Sequence, residues 1–379
     1  MKKLEELPIP SRGMVDELER AIAGETAYCP VPSGSSAGDR ARATSLRSTQ
    51  RIGEEIEDDV ALVVATSGST GVPKGAMLAA QNLVSGADAT HARLGGPRPW
   101  LCALPAHNIA GLQILVRSLV AGYDPLVMDV SHGFSVEDFA QKTAEIGEGC
   151  YTSLVPNQLA KLLQSLQGVE ALQQYEAILV GGAPITGDMA TRAARLGITI
   201  VTTYGSSETS GGCVYDGIPI PGAKVQLHGE RIWLGGPMVA KGYRNVPSEE
   251  AFPEPGWFRT SDAGRIDKGK LQVIGRMDAI IDSGGLKLHP EVLEKAIMQI
   301  PGVTEVVVVG VPDERLGTAI SAVYAGSPTP AQIIEGLSDL PRWQLPKHLS
   351  HVETVPRMTS GKVDRRQAKE LILSSAGLK

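Results

Sequence analysis

From Val60 onward the chain alternates short apolar runs with amphipathic stretches, and that alternation restricts it to helices layered on a largely parallel sheet. "VALVV" at 60–64, "YEAILV" at 175–180 and "GITIVTTYG" at 197–205 read as buried strands. "SVEDFAQKTAEIG" predicts a helix that opens on a Ser135 cap, has Asp138 three residues on and stops at Gly147. "VPNQLAKLLQSL" predicts another, begun at Pro156 and carrying Leu159, Leu162, Leu163 and Leu166 on one face. After Arg276 the pattern restarts: a helix with Val292, Leu293, Ala296, Ile297 and Ile300 inward, the strands "EVVVVGV" and "AISAVYA", then a helix begun at Pro330. At 379 residues the chain is too long for one ordinary core. The expected division is a large α/β domain over 1–276 and a small α+β domain over 277–379. Residues 30–60, Ser/Gly-rich and then acidic, predict a loop or mobile connector.

Charge removes whole classes of partner. A net charge of −6 without Lys/Arg runs argues against nucleic acid or an anionic membrane surface, both of which require a basic face. No stretch approaches the ~20 apolar residues of a membrane span, and "MKKLEELPIP" is not followed by the apolar segment of a secretory signal. Cys29, Cys102, Cys150 and Cys213 are scattered, with neither metal-ligand nor disulfide spacing, and fit reduced thiols in a cytoplasmic protein.

The stretch "ATSGSTGVPKGAM" directly follows the Val60 strand. Thr66, Ser67, Ser69 and Thr70 offer hydroxyls, Gly68 and Gly71 free the backbone N–H groups, and Lys74 adds a cation, a set suited to phosphate oxygens. The nucleotide-binding P-loop, G-x-x-x-x-G-K-S/T, does not fit. Pro73 stands where its second glycine belongs, and Gly75 where its hydroxyl belongs. An ordinary solvated turn has a similar composition.

Four more stretches carry unusual polar content. In "TYGSSETSG", Glu208 follows a strand end and could hold a hard cation such as magnesium, although Ser-Ser-Glu also caps helices. In "GWFRTSDAGRI", Asp262 suits vicinal ribose hydroxyls or an Asx-turn. "IGRMDAIIDSGGLK" joins Arg276, a change of pattern at Asp278, and a flexible Ser283-Gly284-Gly285. "PRMTSGKVDRR" presents Lys362 at a loop tip, where a lysine is usually only a solvated charge. "RIWLGGPMVAKGY" reads as strand and turn with a structural role.

Together "TSGSTGVPKG", "YGSSET", "FRTSDAG", "GRMDAIIDSGG" and "TSGKVDRR", collinear over 66–366, resemble the successive core motifs of the acyl-adenylate-forming superfamily of acyl-CoA ligases, luciferases and peptide-synthetase adenylation domains. The resemblance implies a large α/β adenylate-forming domain with a small mobile α+β C-terminal domain, and ATP, Mg2+ and coenzyme A as substrates and ion. It places the Ser/Thr loop and Lys74 on the β and γ phosphates. Tyr204 would stack on adenine beside Gly182, Ala183, Thr203 and Ser207. Glu208 would bind magnesium, Asp262 the ribose, and Arg276 ribose and phosphate. Lys362 resembles the lysine that bridges carboxylate and α-phosphate; Asp278 falls at the hinge, and Ser283, Gly284 and Gly285 at the thiol tunnel.

Within the superfamily the make-up is most similar to the o-succinylbenzoate:CoA ligases of menaquinone biosynthesis, in a shortened form with 65 residues before Thr66. "LPAHNIAGLQILVRSL" resembles the segment lining acyl pocket and thiol tunnel, which makes His107 a catalytic candidate. Asn108 departs from the His or aromatic residue common there. Ser153, Asn157 and Gln158 are candidates for the substrate carboxylate, and Gly181 and Gly182 for close approach of a flat ring. "PNQLAKLL" reads equally well as an amphipathic core helix. The implied partners are a small carboxylic acid, ATP and CoA, with a homodimer left open. Another acyl-CoA ligase, or an adenylation protein loading a carrier protein, would share every ATP motif. A non-catalytic ATP-binding homologue is disfavoured by the presence of both Lys362 and Glu208.

Overall fold

A five-stranded sheet takes in the amino-terminal region that composition alone assigns to a connector. The structure is a computed structural model that describes residues 1–66, 72–357 and 363–377. Strand β1 (Lys2–Ile9), helix α1 (Met14–Ile22), β2 (Ala27–Pro32), α2 (Ala37–Thr49) and β3 (Glu55–Ile56) precede β4 (Val60–Thr66) and β5 (Lys74–Ala79). The sheet order is β3-β1-β2-β4-β5, with β1, β2 and β4 parallel. The connector reading of 30–60 is therefore wrong. Ser36 caps α2 by accepting from the Asp39 N–H at 3.0 Å, and Ala43 and Leu46 supply enough apolar surface to dock it on Cys29 and Val31. Tertiary packing outweighs a polar composition here.

The second sheet begins after α3 (Ala80–Leu94). Strand β6 (Trp100–Cys102), α4 (Ile109–Val120), β7 (Leu126–Val127), α5 (Val136–Ile146), β8 (Cys150–Leu154), α6 (Pro156–Leu163), α7 (Leu166–Leu172), β9 (Tyr175–Val180), α8 (Gly187–Arg195), β10 (Ile200–Ser206), β11 (Gly211–Tyr215) and β12 (Ile218–Pro219) follow. Their order is β12-β11-β10-β9-β8-β6-β7. Strands β7, β6, β8, β9 and β10 are parallel, so their carboxyl ends share one edge, where ligands of open α/β sheets bind. The Ser135 cap forms, accepting from the Asp138 N–H at 3.2 Å. Helix α6 stops at Leu163, however, and Leu166 in the next helix is 75% exposed; the expected leucine face is one turn too long.

Two compact units divide the chain: 1–226 with 233–260 and 266–271, and 227–232 with 261–265 and 272–379. Strands β13 (Lys224–His228), β14 (Arg231–Gly235), β15 (Trp257–Asp267) and β16 (Lys270–Arg276) supply residues to each. In the smaller unit, β17 (Ile281–Ser283) and β18 (Leu286–Leu288) form a hairpin, followed by α9 (Pro290–Ile297), β19 (Val303–Asp313), β20 (Gly317–Gly326), α10 (Pro330–Gly336), β21 (His348–His351) and α11 (Arg365–Ser375). Period-two alternation sends Val306 and Val308 to one core with Leu293 and Ile297, and Val307, Val309 and Val311 to another with Ala368 and Ile372. Val292, expected inward, is 46% exposed. Gly284 and Gly285 have φ of 61° and 83° and make a two-residue hairpin turn, a use of glycine that fixes the chain instead of loosening it. All four cysteines are buried free thiols, and burial pushes each of them up to about 12.

Candidate active site

Strand β4 leads into an antiparallel hairpin with β5, in which Thr66 faces Lys74 and Ala65 faces Gly75. A P-loop lysine opens a helix; Lys74 opens a strand. The failed match at Gly75 has a steric cause. A Cβ there would lie 1.9 Å from Gln50 Oε1 and 2.7 Å from Val63 Cγ1. The base of the hairpin is tied down by hydrogen bonds on both sides. Gln50 Nε2 and Asn245 Nδ2 donate to the Pro73 carbonyl at 2.9 and 2.8 Å, and Gly75 N–H donates to Asn245 Oδ1 at 3.1 Å. Ser67, Ser69 and Thr70 lie outside the described residues.

Glu208 sits on a 3-10 turn, Ser207–Thr209, directly beyond the carboxyl end of β10, and is 6% exposed. Its Oε1 accepts from the Tyr243 hydroxyl at 2.8 Å. The Lys74 ammonium lies over the same tyrosine ring, 5.2 Å from its centroid. Tyr243 is held by backbone pairing of its neighbours, with Met77 N–H donating to Gly242 O at 2.9 Å and Arg244 N–H to Gly75 O at 2.8 Å. Burial, the Glu208 carboxylate and the hydrogen bond to it push the phenol well above its ordinary pKa. A buried carboxylate, a neutral phenol and an ammonium thus form one chain at the sheet edge. Sequence reasoning missed Tyr243; the signal was an aromatic after Gly242, in a stretch assigned only to strand and turn.

Other candidates gather on the same edge. Gly181 and Gly182 follow β9, and Thr203 and Tyr204 lie on β10, where a register shift between Tyr204 and Gly205 re-aims the strand end. A Cβ on Gly181 would fall 2.3 Å from Thr203 Oγ1, so the missing side chain there accommodates a threonine. Ala183 is exposed and Ser207 buried. Ser153, next to last on β8, has a buried hydroxyl with no partner among the described residues, whereas Asn157 is exposed. Gln158 is engaged at both ends of its amide: Oε1 accepts from Val155 N–H at 3.0 Å, and Nε2 donates to Ala103 O at 2.9 Å. That is the work of a helix cap and a tether. His107 is partly buried; burial, then the Arg42 guanidinium, bring its imidazole down to about 4 against the pull of Asp39.

A separate cluster lies in the smaller unit. Arg276 forms a fork on Asp278, with Nε to Oδ1 at 2.9 Å and Nη2 to Oδ2 at 2.6 Å, and its Nη1 is 3.5 Å from Asp262 Oδ1. The hydrogen bonds from Arg276 hold Asp278 below the ordinary carboxylate range. One guanidinium therefore joins the ribose candidate to the hinge candidate. Lys362 lies outside the described residues. Three residues later Arg365 anchors α11, donating to Val308 O at 2.8 Å and to Glu291 Oε1 at 3.1 Å. Ser283 is buried beside the Gly284-Gly285 turn.

A family described as AMP-binding enzyme matches residues 15–244, and the AMP-binding enzyme C-terminal domain matches 292–362. The chain belongs to the AMP-binding enzyme family. Among AMP-binding enzymes it is similar to a probable 2-succinylbenzoate–CoA ligase of Mycobacterium tuberculosis, 44% identical over 364 residues that cover 93% of each chain. It is 30% identical to the 2-succinylbenzoate–CoA ligase of Enterococcus faecalis over 340 residues, covering 82% of this chain and 69% of that one. The fold is that of a solved o-succinylbenzoate CoA synthetase from Bacillus subtilis in complex with an acyl-adenylate intermediate. The TM-score is 0.80 at 24% identity, over 97% of this chain and 88% of the other. No helix among the described residues is long and apolar enough to cross a membrane.

Proposed function

We propose that the protein is an ATP-dependent acid–thiol ligase that converts 2-succinylbenzoate into its CoA thioester through an acyl-adenylate. The observation that carries this reading is the end-to-end similarity to a relative named for that reaction, on a chain whose Glu208, Tyr243 and Lys74 form a charged site at the sheet edge.

The chemistry needs positive charge and donors where two anions meet. A carboxylate oxygen attacks the α-phosphorus of ATP, the bond to the β-phosphate oxygen breaks, and pyrophosphate leaves. Lys74 and the Ser/Thr loop that contains Ser67, Ser69 and Thr70 would hold the outgoing phosphates, with Thr66 at the entry to the loop. Asp262 and Arg276 would take the ribose. Lys362 would neutralise charge between the attacking carboxylate and the α-phosphate. In the second step a thiolate attacks the acyl carbon and AMP leaves.

Glu208 is the residue that would hold magnesium. An ion held there would bring most of its oxygen ligands from ATP and water. When bound, that ion offsets charge developing on the phosphate oxygens.

The deciding experiment is pyrophosphate exchange into ATP over a panel of aromatic, fatty and amino acids, with and without CoA. Exchange with 2-succinylbenzoate, followed by thioester formation only when CoA is added, is expected. Exchange with a different acid alone would remove the substrate assignment and leave the adenylation chemistry.

A further inference from the structure

Helix α2 reaches the carboxyl edge of the parallel sheet through Arg42, whose Nη2 donates to Asn108 Oδ1 at 3.0 Å. Asn108 immediately precedes α4, and the first residue of that helix, Ile109, lies against Gly211, three residues beyond Glu208. The loop carrying Asn108 leaves the end of β6 and is tethered at Ala103 to Gln158, which follows the end of β8. Arg42 thus meets the loop that leaves the carboxyl end of β6, on the edge where the parallel strands β8, β9 and β10 also end.

Arg42 is partly buried and forms no ion pair among the described residues. Asp39 acts on it only through space, and its carboxylate accepts from the Ser36 hydroxyl at 2.7 Å. A guanidinium has five N–H donors, and a described acceptor takes one of them. Removing such a cation from water is costly unless an anion completes its shell. Neighbouring His107, neutral near pH 7, adds no competing positive charge.

We propose that Arg42, oriented by Asn108, binds the carboxylate of a dicarboxylic acyl substrate that is not adenylated. The proposal rests on the 2-succinylbenzoate reading, since that acid has two carboxylates and the ligase activates one. It also gives the departure at Asn108 a purpose: the amide oxygen orients the guanidinium, and an aromatic ring in its place would offer no such acceptor.

The test measures pyrophosphate exchange with 2-succinylbenzoate and with its two analogues that each lack one carboxylate, 4-oxo-4-phenylbutanoate and 2-butanoylbenzoate. In Arg42→Gln, KM for the diacid should rise about 10- to 100-fold, the worth of a hydrogen bond to a charged group. kcat, KM for ATP and KM for the reactive monoacid should stay near wild type. Arg42→Lys, which keeps charge but loses the fork, should lie between, and it carries the same comparison if the glutamine variant fails to fold. An equal rise for diacid and monoacid would overturn the proposal, as would an effect absent from exchange and confined to KM for CoA in thioester formation. Wild-type exchange with 2-succinylbenzoate alongside a neutral Arg42→Gln would sink this proposal alone. A wild-type enzyme inert to that acid would remove the substrate reading and this inference with it.

Discussion

The Tyr243 hydroxyl donates to Glu208 Oε1 at 2.8 Å, which fixes one oxygen of a buried carboxylate and leaves the orientation of the other determined. A ligand oriented by an outer hydrogen bond holds its metal more tightly than one free to rotate. Tyr243→Phe keeps the ring under Lys74 and removes only the hydroxyl. We expect it to raise the Mg2+ concentration for half-maximal ATP binding about 10-fold, in the range of outer-shell substitutions. Mg2+ titrations of ATP binding, followed by calorimetry, read this without turnover. An unchanged titration would remove the positioning role.

Gly75→Ser would restore the hydroxyl that a P-loop places after its lysine. The hairpin has no room for it, because the new Cβ would enter the space of Gln50 Oε1 and Val63 Cγ1, and Gln50 is fully buried. A loss of about 1–3 kcal/mol in unfolding free energy is expected from overpacking, with no gain in ATP affinity. Urea unfolding and ATP binding check the two halves. Tighter ATP binding would mean that the hydroxyl had found a P-loop role.

Lys362→Ala is expected to separate the two half-reactions. If Lys362 neutralises charge during attack on the α-phosphorus, adenylation should fall about 100- to 1000-fold, the effect of losing one such group. Transfer to CoA from chemically supplied acyl-adenylate should change far less. Equal losses in both steps would contradict the role proposed for it.

The α/β layering and the candidate site residues are legible in the sequence to different depths. Glu208, Lys74 and Arg276 stand out as candidates because hydroxyls, glycines and charges crowd at strand ends, and the parallel strands are legible from their apolar runs. Helix α2 is not. Its interior Arg, Thr and Ser residues hide an apolar face made chiefly of Ala43 and Leu46, and only the sheet beneath them gives that face value. Tyr243 was missed because its partner lies 35 residues away, a distance no local pattern spans. Gln158 shows the reverse difficulty: a polar residue in the first turn of a helix resembles a ligand contact, yet its amide is occupied by Val155 and Ala103.

His91 provides a prediction that concerns stability instead of catalysis. It is 5% exposed, and its Nε2 accepts from Trp100 Nε1 at 3.3 Å, a bond that requires an unprotonated nitrogen. Burial, then the Arg117 guanidinium, lower the folded imidazole to about 4 from an ordinary 6.5, against a smaller opposing pull from Asp88. Between those two values the unfolded chain binds a proton that the folded chain refuses, so acid favours unfolding there. His91 should leave stability unchanged above pH 6.5 or so, and weaken it as pH falls toward 4 with a slope of at most about 1.4 kcal/mol per pH unit. His107, also lowered to about 4, acts in the same direction. Urea unfolding from pH 4 to 8 should therefore show a steeper acid limb for wild type than for His91→Gln, whose amide oxygen can still accept from Trp100. Identical limbs would show that His91 is protonated inside the fold, and that the indole does not donate to it.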